Sequence, residues 1–215
     1  MAFILPKIYP ILDSAYIPTA GRAEFLTRLG QSLSTAGIQL LEYRNKPSTD
    51  AEVLADARIL RAVMPDATLI LDDRVDVALA AAFNGAHVDA GDLPPTDVRA
   101  LMGAPAVIGT SAGNGAQLAE ALNQFEAGSV DYIAFGPIFP TTTKQTSVEP
   151  IGIDGVRRFR ALAGPDAKLV AAAGITVETA PAILDAGADS VAVSAAIFAN
   201  RDPAADFQRW VAVLE

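Results

Sequence analysis

An α/β chain that closes as a (β/α)8 barrel is what this sequence predicts, and three observations carry the prediction. Short apolar runs rich in β-forming residues alternate with longer Ala- and Leu-rich segments of helical period, as βα units around a parallel sheet do. There are eight such runs, enough to close the sheet on itself. The length of 215 residues fits one barrel of this kind, which commonly takes roughly 200 to 250 residues. One (β/α)8 TIM-barrel domain over residues 1–215 is therefore expected.

In chain order, the first strand is expected at 8–12, ahead of a helix at 22–35 that ends before Gly37. A second strand at 39–43 leads to a helix at 50–63, with Asp50 where an N-cap is wanted. The run TLIL marks a third strand at 68–71, followed by an Ala-rich helix at 75–83. Strands at 86–88 and 106–108 flank a helix at 96–101. A helix at 115–126 separates the fifth strand from a sixth at 132–135. The last units are a helix at 153–162, a strand at 169–172, a helix at 177–185 with Thr176 at its N-cap position, a strand at 190–193 and a helix at 203–214. Ala36-Gly37-Ile38, Asn84-Gly85-Ala86 and Ala186-Gly187-Ala188 read as one repeated helix-to-strand turn, with Gly in the left-handed position. The longest irregular stretch, 137–152, follows the sixth strand, where a functional loop is common.

Composition excludes several function classes. Apolar residues make up 51% of the chain and charged ones 19%, which argues against disorder. A net charge of -9 without a basic patch disfavours nucleic acid as a partner. With no Cys, disulfides, thiolate nucleophiles and Cys-ligated zinc are ruled out. The N-terminal apolar run is broken by Pro6 and Lys7, and no run of about 18 apolar residues occurs, so a soluble cytoplasmic protein without membrane contact is expected. A homo-oligomer is compatible with the sequence.

The chemistry gathers where strands end. Alternation along the second strand sends Glu42, Arg44 and Lys46 to one side, a charge pattern that suits a bound anion; a surface ion pair is the plainer alternative. The third strand stops at Asp72-Asp73, and Asp92 follows the fourth. Asp73 and Asp92 could hold one Mg2+, unless Asp72 or Asp73 simply caps the next helix. Gly136, Pro137 and Pro140 shape a loop that presents Thr141, Thr142, Thr143 and Lys144 together, suited to phosphate oxygens or else a Thr-rich surface loop. Gly174 after the seventh strand and Val193-Ser194 at the eighth occupy the places where barrels often bind phosphate through backbone N–H groups. Ser111, on the loop after the fifth strand, adds a hydroxyl or an ordinary turn. His87, inside the fourth strand, reads as a packed structural histidine ahead of a catalytic one.

At these residues the chain resembles the thiamine-phosphate synthase family. The resemblance rests on 135–144 (FGPIFPTTTK), Asp73-Arg74-Val75-Asp76 with Gly85-Ala86-His87-Val88, and 187–193 (GADSVAV), and it spans about the whole chain. It implies a transferase that joins hydroxymethylpyrimidine diphosphate to thiazole phosphate, releasing diphosphate. By position, Arg44, Lys46 and Lys144 would grip the diphosphate as catalytic cations, assisted by Thr143 and Ser111. Asp73 and Asp92 would hold Mg2+, and Thr141, Gly174, Val193 and Ser194 would receive the thiazole phosphate. Glu42 and Asp72 would face the aminopyrimidine, where the family usually has Gln and Asn. The rival readings are a thiazole tautomerase-like enzyme, which would favour a His near Gly113 and Asn114, and a non-catalytic barrel that binds phosphorylated thiamine precursors.

Overall fold

The computed structural model describes residues 3–141 and 148–214. Eight parallel strands close a barrel in sequence order: β1 (Ile8–Asp13), β2 (Leu40–Arg44), β3 (Thr68–Asp72), β4 (Gly85–Val88), β5 (Val107–Ala112), β6 (Tyr132–Phe135), β7 (Leu169–Ala172) and β8 (Ser190–Val193). Helices α1 (Arg22–Thr35), α2 (Asp50–Val63), α3 (Val75–Ala80), α4 (Pro95–Met102), α5 (Gly115–Glu126), α6 (Gly152–Ala163) and α7 (Ala180–Asp185) connect them. A short α8 (Ala195–Phe198) follows β8 before α9 (Pro203–Leu214). Among the described residues no helix is long and apolar enough to cross a membrane.

Three local expectations need correction. The N-cap of α2 is Thr49, not Asp50: the Glu52 N–H donates to Thr49 Oγ1 at 3.4 Å, while Glu52 Oε2 accepts from the Thr49 N–H at 3.0 Å. Thr176 opens a turn, and α7 starts three residues later than expected, with Thr179 before it. The glycine turn occurs twice rather than three times. Gly37 and Gly187 have φ of 86° and 113°, whereas Gly85 lies inside β4, and the left-handed residue after α3 is Ala82, with φ 55°.

Gly85 has a steric reason to be glycine. An apolar cluster inside the barrel joins Tyr9, Leu40, Ile70, Val107, Tyr132, Val170 and Ala192, one residue from each strand except β4. Gly85 pairs with Ile70 and Val107 at that level, and a Cβ there would lie 1.7 Å from Val107 O. Gly109 does the same for Tyr132, whose ring carbon Cζ would be 2.0 Å from an added Cβ. Phe3 and Leu5 pack on this layer from the N-terminal end. Outward-facing residues such as Leu41, Leu71, Ile133 and Val191 pack against Leu26, Leu60 and Trp210 of the helices.

The N-terminal end carries a repeated arginine clamp. Arg61, Arg99 and Arg160 stand in the last turns of α2, α4 and α6. Each donates to carbonyls just past its own helix: Arg61 to Met64 and Ala67, Arg99 to Gly103 and Ala106, Arg160 to Gly164 and Ala167. Each also grips the residue that introduces the next even-numbered strand, respectively Asn84, Asp131 and Asp189. Those three side chains accept the N–H of Leu69, Ile108 and Leu169 on the intervening strands at 2.8, 2.8 and 2.7 Å. Carbonyls of the turns that follow these three helices are thereby satisfied in register around the barrel. The last turn of α9 has no basic residue, and Lys7 donates to Leu214 O instead, at 2.6 Å.

Candidate active site

Above the apolar layer, alternation along the strands turns polar side chains into the barrel at its C-terminal mouth. Glu42 is only 4% exposed and accepts from the Tyr9 hydroxyl at 2.8 Å. Tyr9 and Tyr132 hydroxyls are 2.5 Å apart, and Tyr132 OH lies 3.1 Å from His87 Nδ1. His87 Nε2 lies 2.9 Å from Ser111 Oγ and 3.5 Å from Asp89 Oδ1. Glu42 and Asp89 are thus joined across the barrel through two phenols and an imidazole.

Burial, reinforced by the charges of Asp72 and Asp89, pushes Glu42 up to about 7, although His87 and the Tyr9 hydrogen bond pull the other way. Burial opposes charge on His87 as well. The Asp89 carboxylate 3.5 Å away, with the fields of Glu42 and Asp72, outweighs it and raises the imidazole to about 9. His87 is buried, with both ring nitrogens in contact with hydroxyls.

The next turn of side chains is ionic. Arg44 pairs with Asp13 and lies 3.4 Å, from Nε, to Asp72 Oδ2. Lys46 Nζ is 3.0 Å from the same Asp72 oxygen and also contacts Asp73. Because Asp72 is almost wholly buried, this is a mouth-lining network and not an isolated surface pair. Asp73 is not a helix cap: Arg74 precedes α3 without any side-chain cap bond. Asp73 instead takes φ 63°, a conformation Asp tolerates better than most residues, and its N–H donates to His87 O at 2.9 Å.

Asp92 lies close enough to Asp73 to feel it: burial, then the charge and proximity of Asp73, raise the Asp92 carboxyl against the pull of the Asp89 N–H. Asp92 Oδ2 also accepts from the Asp89 N–H at 2.8 Å, while Asp73 Oδ1 is buried without a hydrogen-bond partner. Two facing carboxylates with a buried oxygen to spare fit a small divalent cation. Among the described residues no group of three or more His, Cys, Asp or Glu forms a complete cage. The donor set therefore suits an ion that keeps waters and phosphate oxygens as its other ligands.

The opposite side of the mouth is backbone-rich. Ile138 and Phe139 N–H groups donate to Ala172 O and Ala173 O at 2.9 and 3.1 Å, joining the loops after β6 and β7. Gly174 has φ 69°, and a Cβ there would lie 2.6 Å from both Phe139 O and Pro140 O. Val193 ends β8, and Ser194 precedes α8 with its Oγ buried and without a hydrogen-bond partner. Thr141 lies at the edge of the described loop, and Thr143 and Lys144 fall outside the described residues. Ser111 is on β5 itself, not on the loop after it, because that strand runs to Ala112.

Glu42, Arg44, Lys46, Asp72, Asp73, Asp92 and Ser111 thus converge as expected at the ends of β2 to β5. Sequence reasoning missed Asp13, Tyr9, Tyr132 and Asp89. Asp13 ends β1 in register with Arg44, a pairing that appears only once the strands are aligned.

Comparison with known proteins identifies the family and the fold. The family model described as thiamine monophosphate synthase matches residues 8–197. The thiamine-phosphate synthase of Koribacter versatilis is 40% identical over 94% of each chain. That of Agrobacterium fabrum is 35% identical over 80% of this chain and 79% of its own. The solved thiamine phosphate pyrophosphorylase from Pyrococcus furiosus superposes with a TM-score of 0.78 at 27% identity, covering 97% and 95% of the two chains. A 3-hexulose-6-phosphate synthase, at 16% identity and TM-score 0.68, shares the fold alone. With a family model matching residues 8–197 and relatives matching over nearly the whole length, the chain belongs to the thiamine-phosphate synthase family.

Proposed function

We propose that this mouth couples hydroxymethylpyrimidine diphosphate with thiazole phosphate to give thiamine phosphate and diphosphate. The observation that carries the reading is the convergence of Arg44 and Lys46 with the facing carboxylates Asp73 and Asp92. Arg44 and Lys46 hold the diphosphate, joined by Lys144 and Thr143. As the carbon–oxygen bond breaks, the electron pair leaves with the diphosphate and the pyrimidinylmethyl carbon becomes cationic. The thiazole nitrogen then supplies the electron pair of the new bond. Charge grows on the leaving oxygens as the bond breaks, so cations fixed beside them favour the transition state over the ground state. Mg2+ bound by Asp73 and Asp92 would neutralise further negative charge there. Asp73 and Asp92 would hold the metal, and Lys46, which contacts Asp73 here, would then be available to the diphosphate oxygens.

Glu42 and Asp72 face the aminopyrimidine in this reading. An ionised carboxylate can accept from the exocyclic amine but cannot donate to a ring nitrogen. Held near 7, Glu42 is a carboxylic acid for much of its population at neutral pH and can do both. Thr141, Gly174, Val193 and Ser194 receive the thiazole phosphate, with the Ser194 hydroxyl free to turn toward it.

The test is magnesium-dependent diphosphate release on mixing both substrates. Asp73→Ala and Asp92→Ala should each lower it by about a hundredfold or more while preserving the fold, a loss on the scale of one electrostatic contact made in the transition state. Unchanged release in both variants would remove the metal assignment.

A further inference from the structure

Lys46 sits in a short loop that is held from behind by a polar chain on the outside of the barrel. Alternation along β2 sends Tyr43 outward between Arg44 and Glu42, and Asn45 follows on the same side. Asp56 of α2 is 3% exposed and accepts from Arg22, the first residue of α1, through Nε at 2.8 Å and Nη2 at 2.6 Å. The Tyr43 hydroxyl donates to the same carboxylate and accepts from Asn45 Nδ2 at 2.8 Å. Asn45 Oδ1 accepts from the Ser48 N–H at 3.3 Å, which closes the loop carrying Lys46 and Pro47.

Arg22 neutralises Asp56 without help. The Tyr43 hydroxyl and the Asn45 amide add nothing to that neutralisation; what they add is a hydrogen-bonded path from the helix layer to the loop. The geometry points to Asp56, Tyr43 and Asn45 as a positioning relay that fixes the Lys46 ammonium at the mouth, so that residues never in contact with substrate govern diphosphate binding. This rests on the reading of Lys46 as a diphosphate ligand. Without the relay, a four-carbon side chain on an untethered loop loses more rotational freedom each time it binds.

The experiment is a calorimetric titration with inorganic diphosphate in Mg2+, comparing the unsubstituted chain with Tyr43→Phe, Asn45→Ala, Lys46→Ala and the two double variants. Tyr43→Phe and Asn45→Ala should each weaken binding about tenfold in the unsubstituted background and less than twofold when Lys46→Ala is also present, because groups that act through one another are not additive. The same factor in both backgrounds would overturn the relay and leave Tyr43 and Asn45 as packing groups. Asn45→Ala leaves the buried Arg22, Asp56 and Tyr43 contacts untouched, so its outcome stands even if Tyr43→Phe loosens the fold. Failure of the unsubstituted chain to bind diphosphate would sink the reading of Lys46 itself, and the relay with it. Normal binding that no relay variant weakens would sink the relay alone.

Discussion

Glu42 shows how far a single residue's environment can reach. Its carboxyl is raised from 4.5 to about 7, so the native state prefers it neutral. Stability from this preference is fully present below the unfolded value and is lost as pH rises through about 7. A displacement of that size corresponds to about 3 kcal/mol, as an order of magnitude. Glu42→Gln should therefore raise the thermal midpoint at pH 8 and change it little at pH 5, and equal shifts at both would contradict the assignment. The same substitution should flatten the pH dependence of turnover between about 6 and 8, where Glu42 switches between acid and carboxylate. A pH–rate profile unchanged in that range would place the controlling group elsewhere. Alternation alone made Glu42, Arg44 and Lys46 legible, since three charges on one side of a strand leave few explanations. Tyr9, Tyr132 and Asp89 were not legible, because an aromatic on a strand or an acid just past one looks the same whether it packs or completes a network spanning several strands.

Among the elements, the ends were harder to read than the existence. Each expected strand and helix is present, yet α7 begins at Ala180 rather than 177, and Ser111 moved from loop to strand. Propensity sets the middle of an element, while local side-chain bonds set its end: Thr49 with Glu52 fixes the start of α2. Gly85 was misread because a glycine after a helix pattern usually supports a left-handed turn, and only the register with Val107 shows that it answers a close backbone approach. The arginine clamps belong to this scale and to the end of the barrel opposite the chemistry. Arg160→Ala removes bonds to Gly164, Ala167, Gly187 and Asp189 and should cost about 2 kcal/mol of stability, by the usual worth of charge-assisted hydrogen bonds. Chemical denaturation should register that loss, with turnover per folded molecule unchanged. A fall in turnover without loss of stability would mean that the clamp communicates with the mouth.

For the molecule as a whole, the barrel was legible because its logic is repetitive: eight alternations of short and long segments leave little else to build. The site was legible to the extent that a barrel exposes its chemistry at strand ends, which brought residues from β2 to β5 together in the expected places. What the sequence could not show was that the mouth's charges already neutralise one another, Arg44 with Asp13 and Lys46 with Asp72 and Asp73. That compensation holds both cations at the mouth of a chain of net charge -9, where the proposed reaction needs them. The most direct measurement is mass-spectrometric detection of product after incubating the chain with hydroxymethylpyrimidine diphosphate, thiazole phosphate and Mg2+. Thiamine phosphate and diphosphate should form in equal amounts and only when both substrates are present. Retention of both substrates unchanged, or hydrolysis of the pyrimidine diphosphate without coupling, would contradict the proposed reaction.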